Sequence, residues 1–118
     1  MHQFEKLKIW QKAMNITEAV YRVCTSLPQE EKFNLTSQIK RCAVSIPSNI
    51  AEGSGRNSKN EFVHFLGIAN GSTFELITQL MISKRLELID GEKISSIVNE
   101  LIEVSNMNFA LQKSLKNQ

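Results

Sequence analysis

The sequence has few of the residues on which enzyme sites and disulfide-linked folds depend. Its 118 residues include two histidines and two cysteines, and the net charge is only +2. These numbers argue against a Ser-His-Asp triad, a zinc site with paired cysteines and a disulfide framework. Five glycines are present, but Gly53-Ser54-Gly55 follows a helical pattern rather than a strand, which predicts a turn and not a phosphate-binding loop. We therefore expect a protein that is not an enzyme and that needs no metal or cofactor.

Long apolar runs are also missing from the sequence. A membrane-spanning helix needs about 18 or more apolar residues in succession, and we find none. The first ten residues, MHQFEKLKIW, do not have the apolar centre of a signal peptide. Cys24 and Cys42 each lie beside apolar residues in a helical pattern, so we expect reduced, buried thiols and a cytoplasmic location.

Hydrophobic periodicity predicts four helices, over residues 5–25, 37–52, 59–84 and 92–116, in a single domain of residues 1–118. Pro28 ends the first helix, and Thr36 is the predicted cap of the second. Ser58 and Glu61 have the spacing of a capping box for the third helix, and Asp90 precedes the fourth. The short connections favour an all-α, antiparallel up-down-up-down bundle.

The second helix has more than the one apolar stripe that a surface helix needs. Its core face contains Leu35, Ile39, Cys42, Ala43, Ile46 and Ile50, and a second apolar face contains Val44, Pro47 and Ala51. A polar seam lies between them: Gln38, Arg41, Ser45, Ser48, Asn49 and Glu52. A helix that is contacted on two sides predicts a subunit interface. The alternative is that Val44 and Ala51 are incidental exposed residues, which are common on protein surfaces.

Proline and glycine interrupt or end the helical patterns at four positions. Pro47 deprives the carbonyl of Ala43 of its helical hydrogen bond and is expected to bend the helix. Gly53 is the predicted C-terminal stop of the second helix. Gly67 and Gly71 lie inside the third helix at a cost of roughly 1 kcal/mol each, so a neighbouring helix is expected to approach closely there.

Several charged residues are expected to interact within or beside this seam. Glu52 lies at a helix C-terminus, where a carboxylate is unfavourable and needs a cation such as Arg41 or Arg56. Glu75, near the apolar face of the third helix, is a second candidate partner for Arg41. For the motif and the oligomer contacts we take five residues of the polar seam and add Pro47 and Glu75. This predicted seam set is Gln38, Arg41, Ser45, Pro47, Asn49, Glu52 and Glu75.

The predicted topology separates the charges along the bundle. The end that carries the chain termini and the Gly53–Asn57 turn has an excess of basic residues: Lys6, Lys8, Arg56, Lys59, Lys113 and Lys116 against Glu5, Glu52 and Glu61. The opposite end is mildly acidic. An oligomeric ring would concentrate the basic residues into one patch, although ordinary solvated charge is the alternative interpretation.

The motif Ser-Ile-Pro-Ser-Asn-Ile-Ala-Glu-Gly at residues 45–53 is highly specific, and Gly55-Arg56 follows it. Further matching motifs are Leu7-x-x-Trp10-Gln11-Lys12-Ala13, Leu27-Pro28-x-Glu30, Glu61-Phe62-x-x-Phe65-Leu66 and Glu75-Leu76. With these motifs the chain resembles the 23S ribosomal RNA intervening-sequence protein family, also called the four helix bundle protein family. Cys42, Asn34 and Ser54 depart from the family pattern.

The resemblance implies a four-helix bundle that assembles as a homopentameric barrel. The chain is also similar to the accessory variability determinants of diversity-generating retroelements, which bind nucleic acid and work with a reverse transcriptase. We therefore expect an oligomeric adaptor that binds RNA or DNA through Lys40, Arg41, Arg56 and Lys59. The alternative is a protein–protein scaffold in which Arg41, Asn49 and Glu52 only secure the assembly. An enzyme in the polar seam, dependent on Glu52, is the least favoured hypothesis.

Overall fold

The computed structural model describes residues 3–118, so Met1 and His2, including the predicted start of the domain, lie outside the described residues. The described chain is all-α, with four helices and no strand. The helices are α1 (Lys8–Val23), α2 (Leu35–Ser54), α3 (Lys59–Arg85) and α4 (Gly91–Lys116). Between residues 3 and 118, no helix is both long and apolar enough to cross a membrane.

The predicted helices are confirmed, and their bounds differ from the expected ones mainly at α1 and α2. Short 3-10 turns at Phe4–Lys6 and Cys24–Ser26 replace the two ends of the predicted first helix. The α2 helix begins at Leu35 after Asn34, without a side-chain cap, so the prediction that Thr36 caps this helix is wrong. The other two caps form: the Ser58 hydroxyl accepts the N–H of Glu61 at 3.1 Å, and the Asp90 carboxylate accepts that of Glu92 at 3.0 Å.

Each helix packs against the next along the chain, and α1 also packs against α4. Paired contacts are Thr17–Ala43 and Tyr21–Lys40 between α1 and α2, Cys42–Ser72 and Gly53–Phe65 between α2 and α3, and Leu66–Asn108 and Lys84–Ser95 between α3 and α4. Within each pair of helices the residue numbers change in opposite directions, as in an antiparallel arrangement. The start of α1, the α2–α3 turn and the end of α4 therefore lie at one end of the molecule.

Gly53 has a role in the structure other than the predicted one. The α2 helix continues to Ser54, and its C-cap is Gly55, whose φ of −87° is right-handed. A Cβ atom on Gly53 would lie 2.7 Å from the Cβ of Phe65 and 3.3 Å from the carbonyl oxygen of Phe62. The prediction of a helix stop at Gly53 is therefore wrong, because glycine is required there by the close packing of α2 on α3.

The α2 helix continues through Pro47, and another helix supplies the missing hydrogen-bond donor. The hydroxyl of Thr17 in α1 lies 3.2 Å from the carbonyl oxygen of Ala43, which has no partner at Pro47. The same hydroxyl lies 2.8 Å from the carbonyl of Ala13 in its own helix. Since a hydroxyl has one proton, the two carbonyls share it. The proline is thus accommodated by a contact between helices that the sequence pattern did not reveal.

The two glycines inside α3 are exposed to open space. A Cβ atom built on Gly67 or Gly71 would have no neighbouring atom within 4 Å. The expected close approach of another helix is therefore absent within this chain, and that prediction is wrong for the single subunit.

Candidate functional site

Three residues of the polar seam, Gln38, Arg41 and Ser45, line a pocket of about 180 Å³ between α2 and α3. Its lining residues are Gln38, Arg41, Cys42, Ser45, Ser72 and Glu75. Four of these belong to the predicted seam set, whereas Cys42 and Ser72 were not predicted to belong to it. Ser72 lies three residues before Glu75, a spacing that places both on one face of α3, so helical periodicity could have identified it.

The remaining members of the predicted seam lie outside the pocket. Asn49 donates its side-chain amide to the carbonyl of Ser45 at 2.8 Å and to its hydroxyl at 3.0 Å. The Ser45 hydroxyl in turn lies 2.8 Å from that of Ser72 in α3. Pro47 faces α1 instead, and Glu52 lies near the end of α2. The predicted seam set is therefore divided in the structure. Four members line the pocket, Asn49 bonds to Ser45 beside it, and Pro47 and Glu52 have other contacts.

Arg41 and Glu75 line the same pocket without forming an ion pair. The guanidinium of Arg41 lies 3.4 Å from the Ser37 hydroxyl. Within residues 3–118, ion pairs join Lys12 to Glu103 and Arg56 to Glu52 and Glu61, and none involves Arg41. The predicted pairing of Arg41 with Glu75 is therefore absent from the single subunit.

Cys42 is held as a neutral thiol in this pocket. Its thiol donates to the carbonyl of Ser72 at 3.0 Å. Burial, followed by the negative charge of the nearby Glu75 carboxylate, raises the pKa of Cys42 to about 12. The thiolate is the nucleophilic form of cysteine, so this pocket does not favour nucleophilic catalysis at neutral pH.

We expect Cys42 to react slowly with iodoacetamide. In a Cys24→Ser background, alkylation of the folded protein near pH 9 should be at least about tenfold slower than alkylation of the unfolded chain. Glu75→Gln should accelerate the reaction because the neighbouring negative charge is removed, although burial remains. Mass spectrometry of timed samples measures both rates. An equally fast reaction in the folded and unfolded chains would contradict this assignment.

The same pKa shift makes stability depend on pH. Because the pKa of Cys42 is higher in the folded chain than its ordinary value of 9.0, folding favours the protonated thiol. The resulting stabilisation is complete below about pH 9 and declines as the pH rises towards 12. Cys42→Ala should reduce this alkaline loss of stability in denaturant titrations.

Arg56, a predicted nucleic-acid residue, has several partners within its own chain. Its guanidinium lies 3.7 Å from the carboxylates of both Glu52 and Glu61 and 4.8 Å from the centre of the Phe65 ring. The expectation that Glu52 has a cationic partner is thus met by Arg56. The two carboxylates reduce the positive charge that Arg56 can offer to a ligand.

The other predicted nucleic-acid residues do not form one surface. Lys40 lies with its ammonium 5.0 Å from the centre of the Tyr21 ring, and Arg41 lies beside the pocket. These two positions precede Arg56 by about four helical turns, or roughly 20 Å along the axis. Lys59, at the start of α3, is exposed.

Lys59 belongs to a group of lysines that we call the basic end. Its members, all exposed, are Lys6, Lys8, Lys59, Lys113 and Lys116. The antiparallel packing places them around the start of α1, the α2–α3 turn and the end of α4. None of the ion pairs found between residues 3 and 118 includes a lysine of the basic end. These ammonium groups remain available to an anionic partner.

An apolar groove of about 380 Å³ lies between α1 and α2. It is lined by Phe4, Trp10, Met14, Thr17, Val44, Pro47, Ser48 and Ala51. Val44 is 41% exposed, whereas Pro47 is buried. The second apolar face predicted for α2 therefore exists and lines one wall of this groove.

The geometry defines a small four-helix, all-α protein with a polar pocket, an apolar groove and a basic end. In residues 3–118, no three His, Cys, Asp or Glu side chains come together as metal ligands would. The family model for the 23S rRNA-intervening sequence protein matches residues 5–110. The chain belongs to this family.

A solved structure has the same fold. It is a protein of unknown function from the S23 ribosomal protein family of Bacteroides thetaiotaomicron, with a TM-score of 0.82 and 27% sequence identity. The similarity covers 89% of this chain and 98% of that one. No curated protein matches the chain.

Proposed function

We propose that this protein is a non-enzymatic, homo-oligomeric up-down bundle that binds the RNA or DNA backbone as an adaptor in the cytoplasm. The observation that carries the proposal is the basic end, whose five lysines are exposed and not engaged in ion pairs within the described chain. The two free, buried cysteines accord with a reducing compartment.

Lysine ammonium groups bind phosphate oxygens without reading the base sequence. A homopentamer, the stoichiometry that family resemblance favours, would present the basic end five times around one axis. Lys59 is the member of the predicted nucleic-acid set that belongs to this surface. The other three members of that set have a secondary part in the proposal. Lys40 lies against the ring of Tyr21, Arg56 lies against two carboxylates, and Arg41 lies beside the polar pocket.

Reversal of charge at the basic end should abolish most of the binding. We expect Lys59→Glu combined with Lys113→Glu to lower affinity for labelled RNA and DNA at low salt by at least about tenfold. The variant should also reduce the slope of log K against log salt by about 1 for each lost phosphate contact, hence by at least about 2. Fluorescence anisotropy across a salt series measures both quantities.

The matched control is Lys32→Glu combined with Lys93→Glu, which changes two exposed lysines at the opposite end of the bundle. This control should retain the affinity of the natural chain. Absence of binding at low salt, or equal loss in both double variants, would contradict a role for the basic end.

A protein–protein scaffold without nucleic-acid binding is the second candidate function. It is favoured by the number of large apolar side chains that are exposed outside the core: Met14, Val44, Ile68, Phe74, Met81, Ile82, Ile102 and Phe109. Under this alternative, oligomerisation or the binding of a protein partner would persist in the variants of the basic end, and no nucleic acid would bind to the natural chain.

A further inference from the structure

Part of the outer face of α3 is apolar, although a surface helix usually has a polar outer face. Gly67, Phe74 and Met81 recur at a spacing of seven residues on this face, and Gly71 lies between the first two. Phe74 is 50% exposed and Met81 is 47% exposed. The two glycines disfavour the helix, and no atom of the same chain approaches them closely enough to require glycine.

The neighbouring helix extends this apolar surface. The ammonium of Lys84 in α3 reaches the Ser95 hydroxyl at 3.0 Å, so Ser95 lies on the side of α4 that faces α3. Ile102 and Phe109 follow Ser95 at seven-residue spacing and therefore lie on the same side. They are 46% and 55% exposed.

We call this surface the apolar ridge: Gly67, Gly71, Phe74 and Met81 of α3 with Ile102 and Phe109 of α4. The register set by Leu66–Asn108 and Lys84–Ser95 places Phe74 level with Ile102 and Gly67 level with Phe109. No member of the ridge is charged. A partner that covers it must therefore offer an apolar, uncharged surface.

The α1–α2 groove is an uncharged apolar surface on the opposite side of the subunit. The four helices contact each other in the cyclic order α1, α2, α3, α4, so the α1–α2 side lies opposite the α3–α4 side. The two sides between them both carry charged groups: Arg41 and Glu75 line the pocket between α2 and α3, and α1 and α4 are joined by the Lys12–Glu103 ion pair at 2.8 Å.

We infer that the apolar ridge of one copy docks in the α1–α2 groove of the next copy, head to tail. The inference rests on the proposed homo-oligomer and specifies its interface. A two-fold contact through either surface would leave the other apolar surface exposed on both copies, whereas a head-to-tail ring covers both on every copy. A close-packed neighbouring chain would also account for Gly67 and Gly71, which have no steric reason within the subunit.

Two single substitutions test the interface from its two sides. Val44→Lys places a charge in the groove, and Phe74→Lys places a charge on the ridge. Both positions are about half exposed in the subunit, so each variant should remain a folded helical monomer by circular dichroism. Multi-angle light scattering of the natural protein should give a multiple of the 13.4 kDa subunit mass, and each variant should give the mass of one subunit.

Mixing the two variants distinguishes a head-to-tail contact from a two-fold one. The Val44→Lys chain retains its ridge, and the Phe74→Lys chain retains its groove, so the mixture should form a one-to-one dimer. No further copy should add to this dimer, because its two uncovered surfaces are the groove that carries Val44→Lys and the ridge that carries Phe74→Lys. Phe33→Lys is the control: Phe33 is 85% exposed and belongs to neither surface, so this variant should keep the mass of the natural protein.

The outcomes separate the inference from the function on which it rests. A monomeric natural protein would overturn the homo-oligomer itself. An oligomer that persists in both lysine variants, or dissociates in only one, would leave the homo-oligomer standing and overturn the pairing of ridge with groove. Two monomeric variants that form no dimer when mixed would overturn the head-to-tail arrangement.

Discussion

Gly53→Ala is expected to destabilise the protein by about 1–3 kcal/mol. In an unobstructed helix interior, the same substitution normally stabilises by about 0.5–1 kcal/mol, because alanine loses less conformational entropy than glycine. The sign should be reversed here because the new methyl group would lie 2.7 Å from the Cβ of Phe65 and 3.0 Å from the ring of Phe62. The nearest atom is the Cβ of Phe65, which side-chain rotation cannot move. Relief of the clash would therefore require α3 to move away from α2 at this point.

Denaturant titration followed by circular dichroism measures this effect. The matched control is Gly55→Ala, two residues further along the same turn. A Cβ atom on Gly55 would lie 3.6 Å from the carbonyl oxygen of Glu52, an ordinary contact, and its φ of −87° suits alanine. We expect the control to change stability by no more than about 0.5 kcal/mol. Equal stability of the two variants would show that the close packing at Gly53 has no energetic consequence.

Thr17→Val is expected to cost about 1–3 kcal/mol, and most of this cost should depend on Pro47. Valine has nearly the shape of threonine but cannot donate a proton to the Ala43 carbonyl, which Pro47 already leaves without its helical donor. In a Pro47→Ala chain, the N–H of residue 47 can bond to Ala43 again. Thr17→Val should therefore cost much less in that background.

The four chains of this double-mutant cycle can be compared by urea unfolding at a single protein concentration. Thr73→Val is a matched control, because Thr73 is fully buried and its hydroxyl bonds only to the Ala69 carbonyl one turn earlier in α3. Its cost should not depend on Pro47. Additive effects of Thr17→Val and Pro47→Ala would argue that the hydroxyl of Thr17 serves Ala13 alone.

The helices were predictable from the sequence because their signals are local. Apolar spacing defines the buried face of each helix, and the Ser58 and Asp90 caps depend on residues two or three positions away. The second apolar face of α2 was predictable for the same reason. The family was also predictable, because the motif at residues 45–53 is continuous in the chain.

The candidate site was only partly predictable. Helical periodicity placed Gln38, Arg41 and Ser45 together, but it could not show that Ser72 of α3 completes their pocket. Charge counting named the five lysines of the basic end together with Arg56. It could not show that Arg56 lies between two carboxylates while Lys59 remains free of ion pairs.

The sequence by itself determined the number of helices, their inward faces and the family, since these depend on short-range periodicity and on a continuous motif. Only the tertiary structure decided which helix supplies the donor for Ala43, why residue 53 must be glycine, and that two uncharged apolar surfaces lie on opposite sides of the subunit. Each of these features depends on the distance between residues of different helices. Such distances follow from how the helices pack together, which no local pattern in the sequence records.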